Sequence, residues 1–400
     1  MLDSSVVLLI SIAAILILLT IKVHPGFAIL AGSIIISVLV LPLPNIPSLL
    51  LHTLTDLQTI RLLVIIASAL ALSSLMEENG LLAKLATAME NFSPRIAILL
   101  IPAVIGLVPM PGGALVSATT SRGLSHRLRL NPEQSTFINY WFRHLWEFSL
   151  PVYPSIIITS IILSVPIFSV VKILAPITAA VIVFGAFLAY VMLKNSPDIK
   201  GAPAINIAIN FVNASWPILL LITLILSGLD AMIAFPLVLA LLASQKRVKW
   251  PQLKKALKYG LNPKILFLLY AIMLYKTIIE NSGTAGALIT DMQMIGLPDL
   301  IILTVLPFIM GFTTGLSSAF VGITIPLLVP SIISASGFNG YALLLVYVSG
   351  MMGLFLSPLH LCLILSTEYF KASLTGVYKY LIIPVAVIEV TVILIYYLAN

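Results

Sequence analysis

Apolar runs long enough to cross a lipid bilayer recur from one end of this sequence to the other, and nothing constrains its fold more. A hydrocarbon core of about 30 Å calls for about 20 apolar residues in a helix. Such stretches fall at 5–22, 26–44, 59–77, 167–193, 207–227, 230–245, 263–280 and 376–398, with two interrupted ones at 136–165 and 340–370. At that depth there is no water to satisfy backbone N–H and C=O groups, so only helices or closed barrels can span. The period-2 alternation of barrel strands is absent. Of the 400 residues, 60% are hydrophobic and 9% charged, against roughly 25% charged in a soluble domain. The sequence therefore predicts an all-α polytopic membrane protein of about ten transmembrane helices. Its start, MLDSSVVLLISIAAILILLTIK, lacks a basic leader and a small-residue cleavage site and is read as a retained helix. The one cysteine, Cys362, rules out an internal disulfide and argues against a thiolate metal site, so no metal is expected.

Two apolar segments do not fit simple crossings. Residues 95–125 are interrupted at LVPMPGGALVSATT, where Pro109, Pro111, Gly112 and Gly113 break any helix; residues 299–333 are interrupted at TTGLSS, Thr313 to Ser318. An arm such as 95–108 reaches only about 21 Å at 1.5 Å per residue, too short to span. Each segment is expected to enter the membrane, turn and leave on the side it came from. Irregular backbone at that depth persists only inside protein or beside a watery cavity.

The two halves of the chain are related. At a shift of 205 residues Pro102 meets Pro307, Gly106 meets Gly311, Ala114 meets Ala319, Val116 meets Val321 and Thr119 meets Thr324. EENG at 77–80 answers ENSG at 280–283, and Pro151 answers Pro358. The expected organisation is a first repeat over 1–198, with scaffold spans 5–77, an interfacial helix 80–91, hairpin 95–125, broken span 136–165 and last span 167–193. A second repeat covers 199–400, with scaffold spans 207–280, interfacial 283–293, hairpin 299–333, broken span 340–370 and last span 376–398. Five crossings per repeat is odd, so the second copy is expected to be inverted, as in many secondary transporters. Loop 245–264 carries seven Lys and Arg and no acid, which places it in the cytoplasm. Counting crossings from there puts 17 of the 21 basic residues on that side and both termini outside the cell, in a multi-pass protein of the cell (inner) membrane. The +7 net charge follows this topology and does not point to nucleic acid.

Polar groups inside hydrocarbon are costly and usually functional. The densest cluster is NYWFRHLWEFSLPVYPS, 139–155. Arg143 and Glu147 are spaced i,i+4, within ion-pair reach on one helical face, with His144 roughly 100° round the helix. Pro151 and Pro154 then break the span, and its counterpart breaks at Ser357-Pro358, followed by His360. Broken helices expose N-termini that suit anions and free carbonyls that suit cations. A shared chamber is expected from Pro109, Pro111, Gly112 and Gly113, from Thr313, Thr314, Ser317 and Ser318, and from Ser149, Tyr153, Ser357 and His360. Arg143 is a candidate countercharge, and Glu147 and His144 are candidate proton carriers; the same Arg143–Glu147 pair equally reads as a structural brace of the broken helix. No phosphate-binding loop, no HExxH and no nucleophile elbow occurs, so no enzyme is expected.

In the order of its spans, hairpins and breaks the chain resembles the ion-transporter superfamily, which includes divalent anion:sodium symporters, citrate and gluconate permeases, and arsenite and sodium/proton antiporter branches. The stretch IPAVIGLVPMPGGALVSA, 101–118, is most similar to the integral membrane family labelled domain of unknown function 401. The symporters carry Ser-Asn-Thr at each hairpin tip; here the tips read Pro-Gly-Gly, 111–113, and Leu-Ser-Ser, 316–318, with no Asn in either. The resemblance implies a homodimer, with a scaffold and a mobile unit that moves like an elevator across the bilayer. The expected function is secondary transport of a small, anionic organic solute such as a carboxylate, coupled to H+ or Na+, with no other cofactor. The alternatives are a cation/proton antiporter of the same fold and a non-transporting membrane scaffold or receptor.

Overall fold

A computed structural model describes residues 3–110, 112–197, 207–334 and 337–399. The expected repeat boundary at 198/199 and Pro111 lie outside the described residues. The first half contains α1 Ser4–Thr20, α2 Pro25–Val40, α3 Ile46–Thr55, α4 Leu57–Glu78, α5 Leu81–Glu90, α6 Pro94–Ile105, α7 Gly113–Arg127, α8 Pro132–Arg143, α9 Pro154–Leu163 and α10 Ile167–Leu193. The second contains α11 Ile207–Leu226, α12 Ala231–Gln245, α13 Trp250–Gly260, α14 Pro263–Ser282, α15 Thr284–Met294, α16 Asp299–Thr314, α17 Ser317–Ile332, α18 Gly340–Phe355, α19 Leu361–Phe370 and α20 Leu374–Ala399. Among the described residues the other regular structure is two short 3-10 turns and a two-stranded ribbon that pairs Ile333 with Phe338 and Ser334 with Gly337.

Sequence-encoded start signals set many of these helices. Asp3, Asp56, Asp230, Asn262 and Asn339 accept backbone N–H bonds at the starts of α1, α4, α12, α14 and α18. Asn131 and Gln134 form a reciprocal capping box on α8, which satisfies two otherwise orphaned donors. Proline occupies the first turn of α2, α6, α8, α9 and α14, where its missing N–H costs nothing.

Among the described residues five helical stretches are long and apolar enough to cross a membrane: Leu57–Glu78, Ile167–Leu193, Ala208–Leu226, Trp250–Ser282 and Leu374–Ala399. The other apolar helices run to 10–17 residues. Large apolar side chains stand exposed on the outer faces of α10 and α20, among them Phe168, Phe187, Ile383 and Leu394. In water such faces would be a liability; they suit lipid. This is a membrane protein with transmembrane helices.

The element order of α1–α10 recurs in α11–α20 with closely similar lengths. Contacts recur reciprocally as well. Helix α2 packs on α14 and α12 on α4; α1 on α15 and α11 on α5; α9 on α17 and α19 on α7. Within each half the arms of a hairpin pack together, α6 with α7 and α16 with α17, and the first arm lies along the broken span, α6 on α8 and α16 on α18.

Two helices were not expected from sequence. Helix α3 occupies IPSLLLHTLT, too short to register as a span, and α13 occupies the basic stretch read as a loop. The cations of α13 lie on its outer face while Gly260 abuts the backbone of Ala67 in α4, and Lys255 Nζ meets Glu78 Oε1 at 2.6 Å. A strongly charged stretch is helical here because its small, apolar side has a neighbour to lie on.

Candidate functional site

Four interruptions shape the centre of the molecule. Helix α6 ends at Ile105, and α7 begins behind Gly112, whose φ of +79° is left-handed backbone that glycine adopts without strain. Helix α16 ends at Gly315, φ +60°, where a Cβ would lie 2.8 Å from the backbone of Leu359 and His360. The second hairpin tip thus presses directly on the second broken span, and glycine is required there twice over. The first broken span stops at Arg143, continues as a 3-10 turn over Leu145–Phe148, and restarts with Pro154. The second stops at Phe355 and restarts at Leu361, with Ser357 Oγ accepting the Leu359 N–H at 3.2 Å between them.

These four breaks surround one cavity of about 210 Å³. The first tip contributes Pro109, Met110 and Gly112; the second contributes Gly315 to Ser318; the broken spans contribute Arg143, Glu147, Tyr153, His360 and Cys362. An apolar wall from Ile66 and Leu70 on α4 and Leu268 and Leu269 on α14 closes the opposite side. The residues preceding α7, α9, α17 and α19 are Gly112, Tyr153, Leu316 and His360, and all four line the cavity. None of these four helix starts has a side-chain cap, unlike the six capped starts described above. Four positive helix ends, with first-turn donors unclaimed by side chains, therefore meet at one place.

Arg143 does not pair with Glu147. The expected i,i+4 spacing assumed a continuous α-helix, but the helix stops at Arg143 and the tighter 3-10 turn rotates Glu147 away. The guanidinium is buried and donates instead to Tyr153 Oη at 3.2 Å and to Met110 O at 3.2 Å and Val108 O at 3.4 Å, while its Nε has no partner. Tyr153 in turn donates to Gly106 O. Gly113 packs against this guanidinium, which lies 2.6–2.8 Å from where a Cβ at that position would be.

Glu147 turns toward the imidazoles. Its Oε1 lies 3.8 Å from His144 Nε2, and its Oε2 is buried without a hydrogen-bond partner. His144 Nε2 and His360 Nε2 are 3.0 Å apart, joining the first broken span to the second. Cys362 places its sulfur in the same group: one ligand atom each from His144, His360 and Cys362 lies within 4.8 Å of the others. Tyr347 Oη, 2.8 Å from both Glu147 O and Ser155 Oγ, holds this turn against α18.

Of the residues singled out from sequence, Pro109, Gly112, Ser317, Ser318, Tyr153, His360, Glu147 and Arg143 line the cavity, and His144 and Gly113 stand directly behind it. Thr313 and Thr314 do not line it; their hydroxyls donate to Ile309 O and Met310 O at 2.7 Å. Ser149 and Ser357 also lie off the lining. Sequence reasoning missed Met110, whose carbonyl holds Arg143, and set Cys362 aside. It also missed Asn139, whose Nδ2 donates to Ala114 O at 3.0 Å and Ser366 Oγ at 2.8 Å while its Oδ1 accepts from Ser117 at 2.7 Å. The signal for Asn139 was a lone amide in an apolar span, which must find partners inside the protein.

No curated protein matches this sequence. A family model described as "Protein of unknown function (DUF401)" matches residues 2–399. With nearly all of its 400 residues matched, the chain belongs to that family.

Proposed function

We propose that this protein is a secondary transporter that moves a small, anionic organic solute, a carboxylate, across the cell membrane by an elevator-type mechanism. The observation that carries the reading is the meeting of four uncapped helix starts and an Arg143 without a carboxylate partner on one cavity. A buried cation and converging helix N-termini favour an anion between them. At about 210 Å³ the cavity is smaller than the roughly 300–1,000 Å³ of drug-sized sites, in keeping with a small solute. The coupling cation, H+ or Na+, would act on the side of Glu147 and His144.

The recurring element order and reciprocal packing support two repeats, with about ten spans in all and the second repeat inverted. On this reading α6–α10 and α16–α20 form a mobile unit that slides along the apolar wall of α4 and α14, and the scaffold pairs two copies into a homodimer. An alternative, a cation/proton antiporter, draws on the unpartnered Oε2 of Glu147. It predicts proton release when sodium is added to proteoliposomes without organic solute.

The test is a thermal-shift screen of the purified protein against carboxylates, sugar acids and inorganic anions. A ligand at 100 times its Kd adds about 2.7 kcal/mol of stability, read as a rise in Tm. The expected result is that at least one carboxylate gives this rise and is taken up by proteoliposomes, and that Arg143→Gln loses both. If no anion shifts the melt, or if Arg143→Gln binds the same anion as tightly, the anion reading fails.

A further inference from the structure

The two imidazoles in the cavity wall are held as metal-bound histidines are held. The Nδ1 of His144 lies 2.6 Å from Tyr140 O, and the Nδ1 of His360 lies 2.7 Å from Gly315 O. A carbonyl only accepts, so each Nδ1 carries the proton and donates it, and each Nε2 presents a lone pair. Such backbone bonds to the far nitrogen fix the tautomer and aim of ligating histidines. The two lone pairs converge at 3.0 Å, a separation at which they repel unless a cation lies between or beside them. Cys362 brings a sulfur within 4.8 Å of both nitrogens, and Glu147 brings a carboxylate with one oxygen unpartnered.

We propose that His144, His360, Cys362 and Glu147 form a binding site for one divalent transition-metal ion of the zinc class. Two imidazoles, a thiolate and a carboxylate suit Zn2+ or Co2+, whereas Na+, Mg2+ and Ca2+ prefer oxygen ligands throughout. Bonds of about 2.0–2.3 Å set tetrahedral donors roughly 3.3–3.8 Å apart. The nitrogens, 3.0 Å apart, are slightly closer than that, the sulfur, within 4.8 Å of both, must approach by about 1 Å, and Glu147, 3.8 Å from His144 Nε2, must turn in on the ion. As the sulfur–metal bond forms, the thiol proton leaves to water. The cavity beside the cluster gives the ion access to it. Since His144 and Glu147 come from the first half and His360 and Cys362 from the second, the ion ties the two broken spans together. The site shares a cavity with the proposed solute but requires no transport.

The test adds Co2+ to the tag-free, metal-free full chain in detergent, with no organic solute present. One Co2+ is expected per chain, with the visible ligand-field bands of four-coordinate cobalt and a near-ultraviolet thiolate-to-cobalt charge-transfer band. Zn2+ should bleach both, while excess Mg2+ and Ca2+ should not. Cys362→Ser should lose the charge-transfer band and keep the visible bands, and His360→Gln should bind at least ~10-fold more weakly. Wild-type protein that binds no cobalt, or binds it without the charge-transfer band, overturns the proposal even if neither variant folds; so does His360→Gln with undiminished affinity. Loss of solute binding with the cobalt spectrum intact would sink the anion reading and leave this one, and the converse result would do the reverse.

Discussion

Arg143 is held in place by a neighbour that has no side chain. Gly113 leaves room for the guanidinium, and a methyl there would lie 2.6 Å from Nη2 and 2.8 Å from Nε. Gly113→Ala is expected to push the guanidinium off Met110 O and Val108 O and out of its aim at the cavity. Hydrogen bonds to charged groups contribute about 1.5–3 kcal/mol, so solute affinity should fall by about tenfold or more. A binding titration on the folded variant measures this; unchanged affinity would mean that the guanidinium does not face the solute. At this scale the sequence was legible in kind but not in pairing. Arg143, His144, Glu147 and His360 stood out because charge and imidazole are rare in apolar spans. Their partners could not be read, because they depend on where the helix stops. One change from α to 3-10 geometry after Arg143 replaced the expected Arg143–Glu147 pair with a Glu147–His144–His360 chain. Cys362 was invisible for a related reason: a single thiol has meaning as a ligand only once two distant imidazoles are seen beside it.

At the scale of helices, matched glycines let the hairpins touch the broken spans. A Cβ on Gly106 would run into Arg143 O, one on Gly311 into Gly350 O, and one on Gly353 into Phe308 O. Gly106 and Gly311 are the pair that the 205-residue shift aligns, and they make the same contact in each half. Small residues of this kind let membrane helices approach backbone to backbone. Because the obstructing atoms are main chain, no side-chain rotation relieves a substitution. Gly311→Val should destabilise by roughly 3 kcal/mol or more, the upper end of overpacking effects. Gly286→Ala is the control: it lies in α15 with nothing within 4 Å of the new methyl, and should be neutral or stabilising by up to about 1 kcal/mol. Unfolding temperatures of the two variants in detergent check the contrast, and equal melting would show that α16 and α18 have slack. The hairpin breaks were legible because Pro and Gly act locally; the stop at Arg143, upstream of Pro151, was not. Helices α3 and α13 were not legible either, since so short a segment becomes helical only when something lies under its apolar face.

For the molecule as a whole, the question is whether the unit proposed to hold a solute moves against α4. Two side-chain bonds cross that boundary among the described residues: at the first hairpin tip Ser73 Oγ of α4 donates to Pro109 O at 3.1 Å, beside a bond to Ala69 O in its own helix at 2.9 Å, and at the end of α9 Gln58 Nε2 of α4 donates to Ser164 Oγ at 3.0 Å. The rest of the wall facing the cavity is apolar, Ile66 and Leu70 on α4 and Leu268 and Leu269 on α14, and such a surface has no directional bonds to break when a partner slides along it. A covalent bridge here tests the movement. In the double variant Ser73→Cys/Pro109→Cys, with Cys362 left in place, a disulfide or a short bifunctional thiol reagent should stop uptake by proteoliposomes. A reductant should restore uptake after the disulfide, and the two single variants should be unaffected by oxidation. Solute binding to the locked protein should persist, because the bridge leaves Arg143 and the four helix starts where they are. Uptake at the unlocked rate with the bridge formed would mean that the hairpin and α4 travel together or not at all. In that case the reciprocal packing of the two halves would describe how the chain arose and folds, and not how a solute crosses.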